Sequence, residues 1–258
     1  LTRRAVDSHS FAVLATDAMS VSCHEMKLPS LVLLPGLDGT GHLFGPLLAA
    51  LPSNVSTVVV SYPSDTPFGY SALLPLVLGA PPADRPFVLL GESFSGPLAI
   101  MAAAAHPSGL VGVVLCASFI RNPHPYVPSV LSSAVRSPVL RLFPRFAQIK
   151  ALLGGYSSPA LRSLTREAVS RVAPAVLACR IREVLRVNVA QQLRACSVPV
   201  LYLRAGSDFV VPAWNVKTIR KVNPAVQVLS LQGPHMVLQA VPAAAAEAIS
   251  HFLTASAS

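Results

Sequence analysis

FVLLGESFSGPLAIMAAAAH, residues 87–106, is the stretch on which the fold turns. Its opening four residues form an apolar run too short for a helix and read as a strand buried on both faces. From Ser95 onward the chain is rich in Ala, Leu, Ile and Met and halts at Pro107, which reads as a helix and its stop. Between the two lies Gly91-Glu92-Ser93-Phe94-Ser95-Gly96. A serine at such a strand-to-helix turn projects its hydroxyl above the sheet at the helix N-terminus, and small neighbours let the two backbones approach. The usual spacing is G-x-S-x-G. Here Ser95 stands at the second glycine position, which also makes it the alternative nucleophile, one helical step further in.

Outward from this turn, short apolar runs recur at residues 31–34, 55–62, 110–116, 198–203 and 226–231. Each reads as a strand of a parallel sheet covered by helices on both faces. Helical stretches at 212–222 and 242–253 open on a proline suited to a first turn, and another helix starts near His42. The alternation predicts an α/β fold: an open, mostly parallel sheet of about six strands, with its site at the strands' carboxyl ends.

Between residues 121 and 196 the alternation stops, and prolines at 123, 125, 128, 138, 144, 159 and 174 divide the chain into short helices. Ser158-Pro159 opens one whose apolar face is Leu161, Leu164, Ala168, Val169 and Val172. Pro174 opens another, with Val176, Leu177, Ile181, Val184 and Leu185 inward and Arg180, Arg182 and Arg186 outward. The domain reading is therefore a core at 26–120 and 197–258, a helical cap insertion at 121–196, and a non-core extension at 1–25. Met26 and Met19 each read as a natural start.

Two later loops complete a chemical pattern. Gly206-Ser207-Asp208 follows the 198–203 run, and Gly233-Pro234-His235 follows the 226–231 run. Ser93, Asp208 and His235 thus occur in the order Ser, Asp, His, each just past a strand end. That arrangement lets His235 take the serine proton while Asp208 orients the ring. Two N–H groups aimed at the developing oxyanion are needed as well. Phe94, directly after the nucleophile, is one candidate donor. Leu37, in the glycine-rich loop 34–41 (LPGLDGTG), is the other. Asp38 precedes the nucleophile and is not the expected acid. His42 and His106 read as surface or packing residues, His124 as a loop residue, Asp65 as a turn residue, and Glu92 as a partner for an arginine or a backbone amide.

Composition narrows the classes. With 52% hydrophobic residues the chain is not disordered. Despite a mean hydropathy of +0.57, its longest apolar run, 98–105, falls far short of the roughly 18 residues of a membrane span. The four cysteines form no CxxC pair and suit a reducing, cytoplasmic setting. No metal or nucleotide motif implies a cofactor. The net charge of +9 sits in the middle of the chain: residues 121–196 carry 12 Lys/Arg against 2 Asp/Glu. No dense basic run or aromatic ladder accompanies it, so nucleic acid is a poor fit.

With these residues placed, the chain resembles the α/β-hydrolase fold superfamily. More narrowly it is similar to small bacterial α/β hydrolases with an LPGLDGTG loop and an ESFSGP turn, and plant phytyl ester synthase-like proteins have a related loop. The resemblance runs from Leu28 to about Leu253. It departs at Pro35-Gly36, where many relatives have His-Gly, and at Ser95. It implies a serine hydrolase of a carboxylic ester or thioester with an apolar acyl chain. The alternatives are an acyltransferase with the same triad and a non-catalytic ligand-binding member. The basic segment admits an acidic carrier, acyl carrier protein or coenzyme A, as partner.

Overall fold

The computed structural model describes residues 28–135 and 145–257. The expected extension at 1–25, with its two candidate starts, lies outside the described residues. Six strands form one sheet: β1 (Ser30–Leu34), β2 (Thr57–Val59), β3 (Phe87–Glu92), β4 (Leu110–Cys116), β5 (Val200–Ala205) and β6 (Gln227–Leu231). Their order is β2-β1-β3-β4-β5-β6, and every neighbouring pair is parallel. The expected strand count and parallel sheet hold. The second strand is shorter than its 55–62 apolar run, because the chain leaves the ladder after Val59 and enters Pro-containing turns. After β1 the chain steps out to β2 and returns on the other side of β1 to form β3. The carboxyl ends of β1 and β3 therefore flank the switch point, where an open α/β sheet leaves a crevice.

Alternation along the central strands sends side chains to two separate cores. Val32, Leu34, Phe87, Leu89, Val113, Leu115 and Tyr202 pack against α2 (Tyr70–Leu78), α3 (Ser95–Ala104), α7 (Ala190–Ala195) and α8 (Trp214–Val222), through Leu73, Leu98, Leu193 and Ile219. Leu31, Leu33, Val88, Leu90, Val114, Cys116 and Leu203 pack against α1 (Gly45–Ala50), α9 (Val237–Ala240) and α10 (Pro242–Ala255), through Leu47, Val237, Ile249, Phe252 and Leu253. This double coverage is why the strands read as continuous apolar runs rather than alternating ones. Helix α2 escapes sequence reading because Pro75 lies inside it.

The segment between β4 and β5 carries α4 (Arg145–Leu153), α5 (Pro159–Ser170), α6 (Pro174–Arg186) and α7. Its departing and returning arms meet where Arg121 bridges Asn188 and the Val189 N–H donates to the Ile120 carbonyl at 2.9 Å. Within the stretch expected to be one insertion, α7 lies beyond this neck and packs on the sheet core. The Ser158 side chain caps α5 by accepting from the Leu161 N–H at 3.1 Å. Ile149, Leu152, Leu161 and Leu164 gather around Leu43, Leu153, Ala168 and Met236.

Helix α6 departs from expectation in one respect. Arg180, read as outward-facing, is fully buried. Arg186 points its Nε at the Ser132 hydroxyl (2.7 Å), and half-buried Arg182 donates to the Val135 carbonyl (3.0 Å). A helical wheel assigns arginine to solvent. Here the facing loop offers a cage of backbone carbonyls that the wheel cannot show. No helix among the described residues is long and apolar enough to cross a membrane.

Candidate active site

Ser93 sits between β3 and α3 with φ of 47°, the left-handed region that side chains rarely adopt. Several contacts hold it there. Its N–H donates to the Cys116 carbonyl at 2.8 Å, and its carbonyl accepts from the Gly96 N–H (3.1 Å) and the Ser118 hydroxyl (2.6 Å). Two glycines make the turn sterically open. A Cβ at Gly91 would lie 2.5 Å from the Ser95 carbonyl oxygen, and one at Gly96 would lie 1.8 Å from the Ser118 hydroxyl. Strain of this sort persists only where the surroundings impose it, and it marks functional positions.

The departure at Ser95 has a physical reason. Its buried hydroxyl donates to the Pro35 carbonyl and receives the Tyr62 hydroxyl at 2.8 Å. It straps the loop after β1 to the helix that follows Ser93. Burial holds the Tyr62 phenol above its ordinary range, so that hydroxyl stays a donor. Ser95 is therefore engaged in the scaffold, and Ser93 alone faces the histidine.

The loops after β5 and β6 are tied together before they reach the site. The Gly206 N–H donates to the Leu231 carbonyl (2.8 Å) and the Ser207 N–H to the Gly233 carbonyl (2.9 Å). Asp208 Oδ1 accepts from the Val210 and Val211 N–H groups at 2.8 and 2.7 Å, which fixes the carboxylate. His235 Nδ1 lies 3.0 and 2.9 Å from the two Asp208 oxygens, and its Nε2 lies 2.9 Å from Ser93 Oγ. A carboxylate only accepts, so the Nδ1 proton belongs between His235 and Asp208, leaving Nε2 free to accept from the serine. The Asp208 and His235 side chains retain only 5% and 6% exposure. The three residues expected from separate loops are thus brought together in one chain of hydrogen bonds.

The loop after β1 forms a turn in which the Gly39 N–H donates to the Gly36 carbonyl at 3.1 Å. The Asp38 carboxylate is engaged within the loop, accepting from the Thr40 N–H at 2.9 Å and from the Thr40 hydroxyl. No hydrogen bond from the Leu37 or Phe94 N–H is found among the described residues. The two expected oxyanion donors therefore lie on the loops after β1 and β3 without hydrogen-bond partners among the described residues.

Several residues around the site have partners that sequence reading did not supply. Glu92, next to Ser93 in the chain, is buried and accepts from the Gln239 side-chain amide at 2.9 Å, with the Gly36 backbone amide nearby. Burial raises its carboxyl to about 7, with the nearby Asp38 carboxylate adding to the rise. Where an arginine or a backbone amide was expected, the side chain at hydrogen-bond distance is glutamine. His124 reaches from the departing arm to within 2.8 Å of the Val210 carbonyl and so braces the Asp208 loop. Nothing in the sequence pairs residues so far apart. His42 and His106 are exposed, and Asp65 bonds its neighbour Thr66. Among the described residues no group of three or more His, Cys, Asp or Glu side chains is placed to hold a metal ion.

The chain is similar in structure to several solved proteins. An esterase from Thermogutta terrifontis superposes with a TM-score of 0.75 at 19% identity, covering 90% of this chain and 91% of that one. The enol-lactonase from Burkholderia xenovorans LB400 gives 0.73 at 17% identity, over 88% and 92%. A bromoperoxidase from Bacillus anthracis gives 0.72 at 18%, again over 88% and 92%. At these identities the likeness establishes the fold. No curated protein sequence matches significantly. The model of the alpha/beta hydrolase family matches residues 31–248, and the chain belongs to that family.

Proposed function

We propose that the protein is a serine hydrolase that cleaves a carboxylic ester with an apolar acyl group through an acyl-enzyme. One observation carries this reading: His235 sits between Asp208 and Ser93 with contacts of 2.9 to 3.0 Å on both sides. Ser93 Oγ attacks the acyl carbonyl carbon as His235 Nε2 takes its proton. The carbonyl oxygen becomes an oxyanion facing the Leu37 and Phe94 N–H groups. Collapse of that intermediate breaks the acyl–oxygen bond, and His235 returns the proton to the departing alcohol. Water, deprotonated by the same nitrogen, then attacks the acyl-serine and releases the carboxylic acid.

The helical segment after β4 serves as a cap in this reading. Its apolar side chains on α4 and α5 surround Met236, the neighbour of His235, which favours an alkyl or aryl acyl group. An oxygen ester is preferred to a thioester on an acidic carrier. Arg180, Arg182 and Arg186 already donate to protein oxygens, which leaves fewer free guanidinium donors for a phosphate.

The test is a chain-length panel of p-nitrophenyl esters with wild type and Ser93→Ala in parallel, alongside labelling by a fluorophosphonate. Wild type should hydrolyse the panel and take up the label, and Ser93→Ala should fall to background in both. Full activity in Ser93→Ala, or failure of wild type to label, would overturn the assignment.

A further inference from the structure

We infer that α6 is a positioning element for the oxyanion hole, with Arg180 aiming the Leu37 donor and Glu183 the Phe94 donor; this rests on the hydrolase reading above. Arg180 enters the loop after β1 from the side of the cap. Its Nη1 donates to the Leu37 carbonyl at 2.9 Å and the Asp38 carbonyl at 2.7 Å, and its Nη2 donates to the Pro63 carbonyl at 2.9 Å. The Gly36 carbonyl is held by the Gly39 N–H. Three consecutive carbonyls of this loop are therefore fixed. Because each peptide unit is planar and trans, the Leu37 N–H points opposite to the Gly36 carbonyl that Gly39 holds, and Arg180 keeps the turn in that orientation by fixing the next two carbonyls.

Glu183 lies one turn further along the same helix. Its Oε2 accepts from the Tyr70 N–H at 2.9 Å, at the start of α2. Tyr70 stacks on the Phe94 ring at 4.7 Å between centroids, and its hydroxyl donates to the Phe94 carbonyl at 2.9 Å. The Arg180 guanidinium closes the network, 5.5 Å from the Tyr62 ring centre and 6.0 Å from that of Phe94. One helix thus holds both residues expected to donate, Leu37 directly through Arg180 and Phe94 through Glu183 and the intervening Tyr70.

Two features indicate that the grip is built in. Glycine makes room for each of the two side chains: a Cβ at Gly39, whose φ is +70°, would lie 2.3 Å from Arg180 Nη1, and one at Gly69 would lie 2.8 Å from the Glu183 carboxylate. Every hydrogen bond of the guanidinium goes to a backbone carbonyl of these loops, and its Nε has no hydrogen-bond partner among the described residues. Whatever shifts α6, an acyl chain under the cap included, then alters the oxyanion hole with it.

The experiment compares Arg180→Lys, Tyr70→Phe and a control, Arg182→Gln, whose native contact is with Val135 on another face of α6. Active sites are counted by exhaustive fluorophosphonate labelling, so that misfolded protein drops out of the rate. Hydrolysis of p-nitrophenyl butyrate then gives kcat per site, and inhibition by an aryl trifluoromethyl ketone reports affinity for a tetrahedral adduct. Misaiming a donor should lower kcat per site in Arg180→Lys about ten- to a hundredfold. KM should stay within about threefold, and ketone affinity should fall in step with kcat. Tyr70→Phe should fall about tenfold and Arg182→Gln less than twofold. A per-site kcat near wild type in Arg180→Lys overturns the inference, as does an equal fall in Arg182→Gln. Should Arg180→Lys yield too few sites to assay, Tyr70→Phe decides by the same criterion. Activity surviving in Ser93→Ala would instead sink the hydrolase reading itself.

Discussion

Glu92 offers a pH-dependent prediction whose sign and size come from its surroundings. Its carboxyl is buried beside Gln239, the Gly36 amide and the nearby Asp38 carboxylate, and burial raises it from the ordinary 4.5 to about 7. In the folded state this group holds its proton where the unfolded chain has released it. Stability is therefore greatest below pH 4.5 as far as this group is concerned, and it falls as pH rises through about 7. At about 1.4 kcal/mol per pH unit, the full span corresponds to roughly 3 kcal/mol, of which about 2 kcal/mol is lost between pH 5.5 and 8.5.

Glu92→Gln removes the titration while keeping the shape. Its NH₂ finds an acceptor in Gln239 Oε1, which has no partner among the described residues. Thermal denaturation of wild type and Glu92→Gln at the two pH values supplies the assay. The variant should gain on wild type by about 4–8 °C as the pH goes from 5.5 to 8.5, given about 2–4 °C per kcal/mol for a domain of this size. A gap between the two proteins that stays constant, or that narrows as pH rises, would refute the reasoning.

Two further changes test the site directly. Asp208→Asn should leave the fold intact, since the amide oxygen still accepts from Val210 and Val211. Its NH₂, however, would face His235 Nδ1 and move the ring proton to Nε2, so kcat should fall by about 10⁴-fold on p-nitrophenyl esters. Ser95→Ala strands the buried Pro35 carbonyl and the Tyr62 hydroxyl, and urea denaturation should show a loss of about 1–3 kcal/mol. The same protein should still take up one fluorophosphonate per chain; loss of labelling with the fold preserved would make Ser95 the nucleophile.

Much of this was legible because it rests on local rules. The strand-to-helix turn at Ser93 needs small residues at fixed positions, and Gly91 and Gly96 are conspicuous in any reading. Buried parallel strands are apolar on both faces, so β1, β3 and β4 announce themselves. The order of Ser93, Asp208 and His235 follows the order of the strands that carry them. Ends of elements were less legible: β2 stops at Val59 although Val60 and Tyr62 are equally apolar, because strand length depends on a neighbour to pair with. Helix α2 was hidden by Pro75, which lies where a helix is usually broken.

The sequence by itself determined the sheet, its parallel sense and the three residues meeting at its carboxyl edge, because periodicity and turn chemistry act over a few neighbouring positions. Only the tertiary structure decided how Glu92, Ser95, His124 and Arg180 are used. Each has its partner on a distant segment, and the same side chain is exposed or buried according to whether that segment presents an acceptor. Arg180 is the plainest instance: on the helix it looks like one more solvent-facing arginine, and against the carbonyls of Leu37, Asp38 and Pro63 it becomes part of the interior.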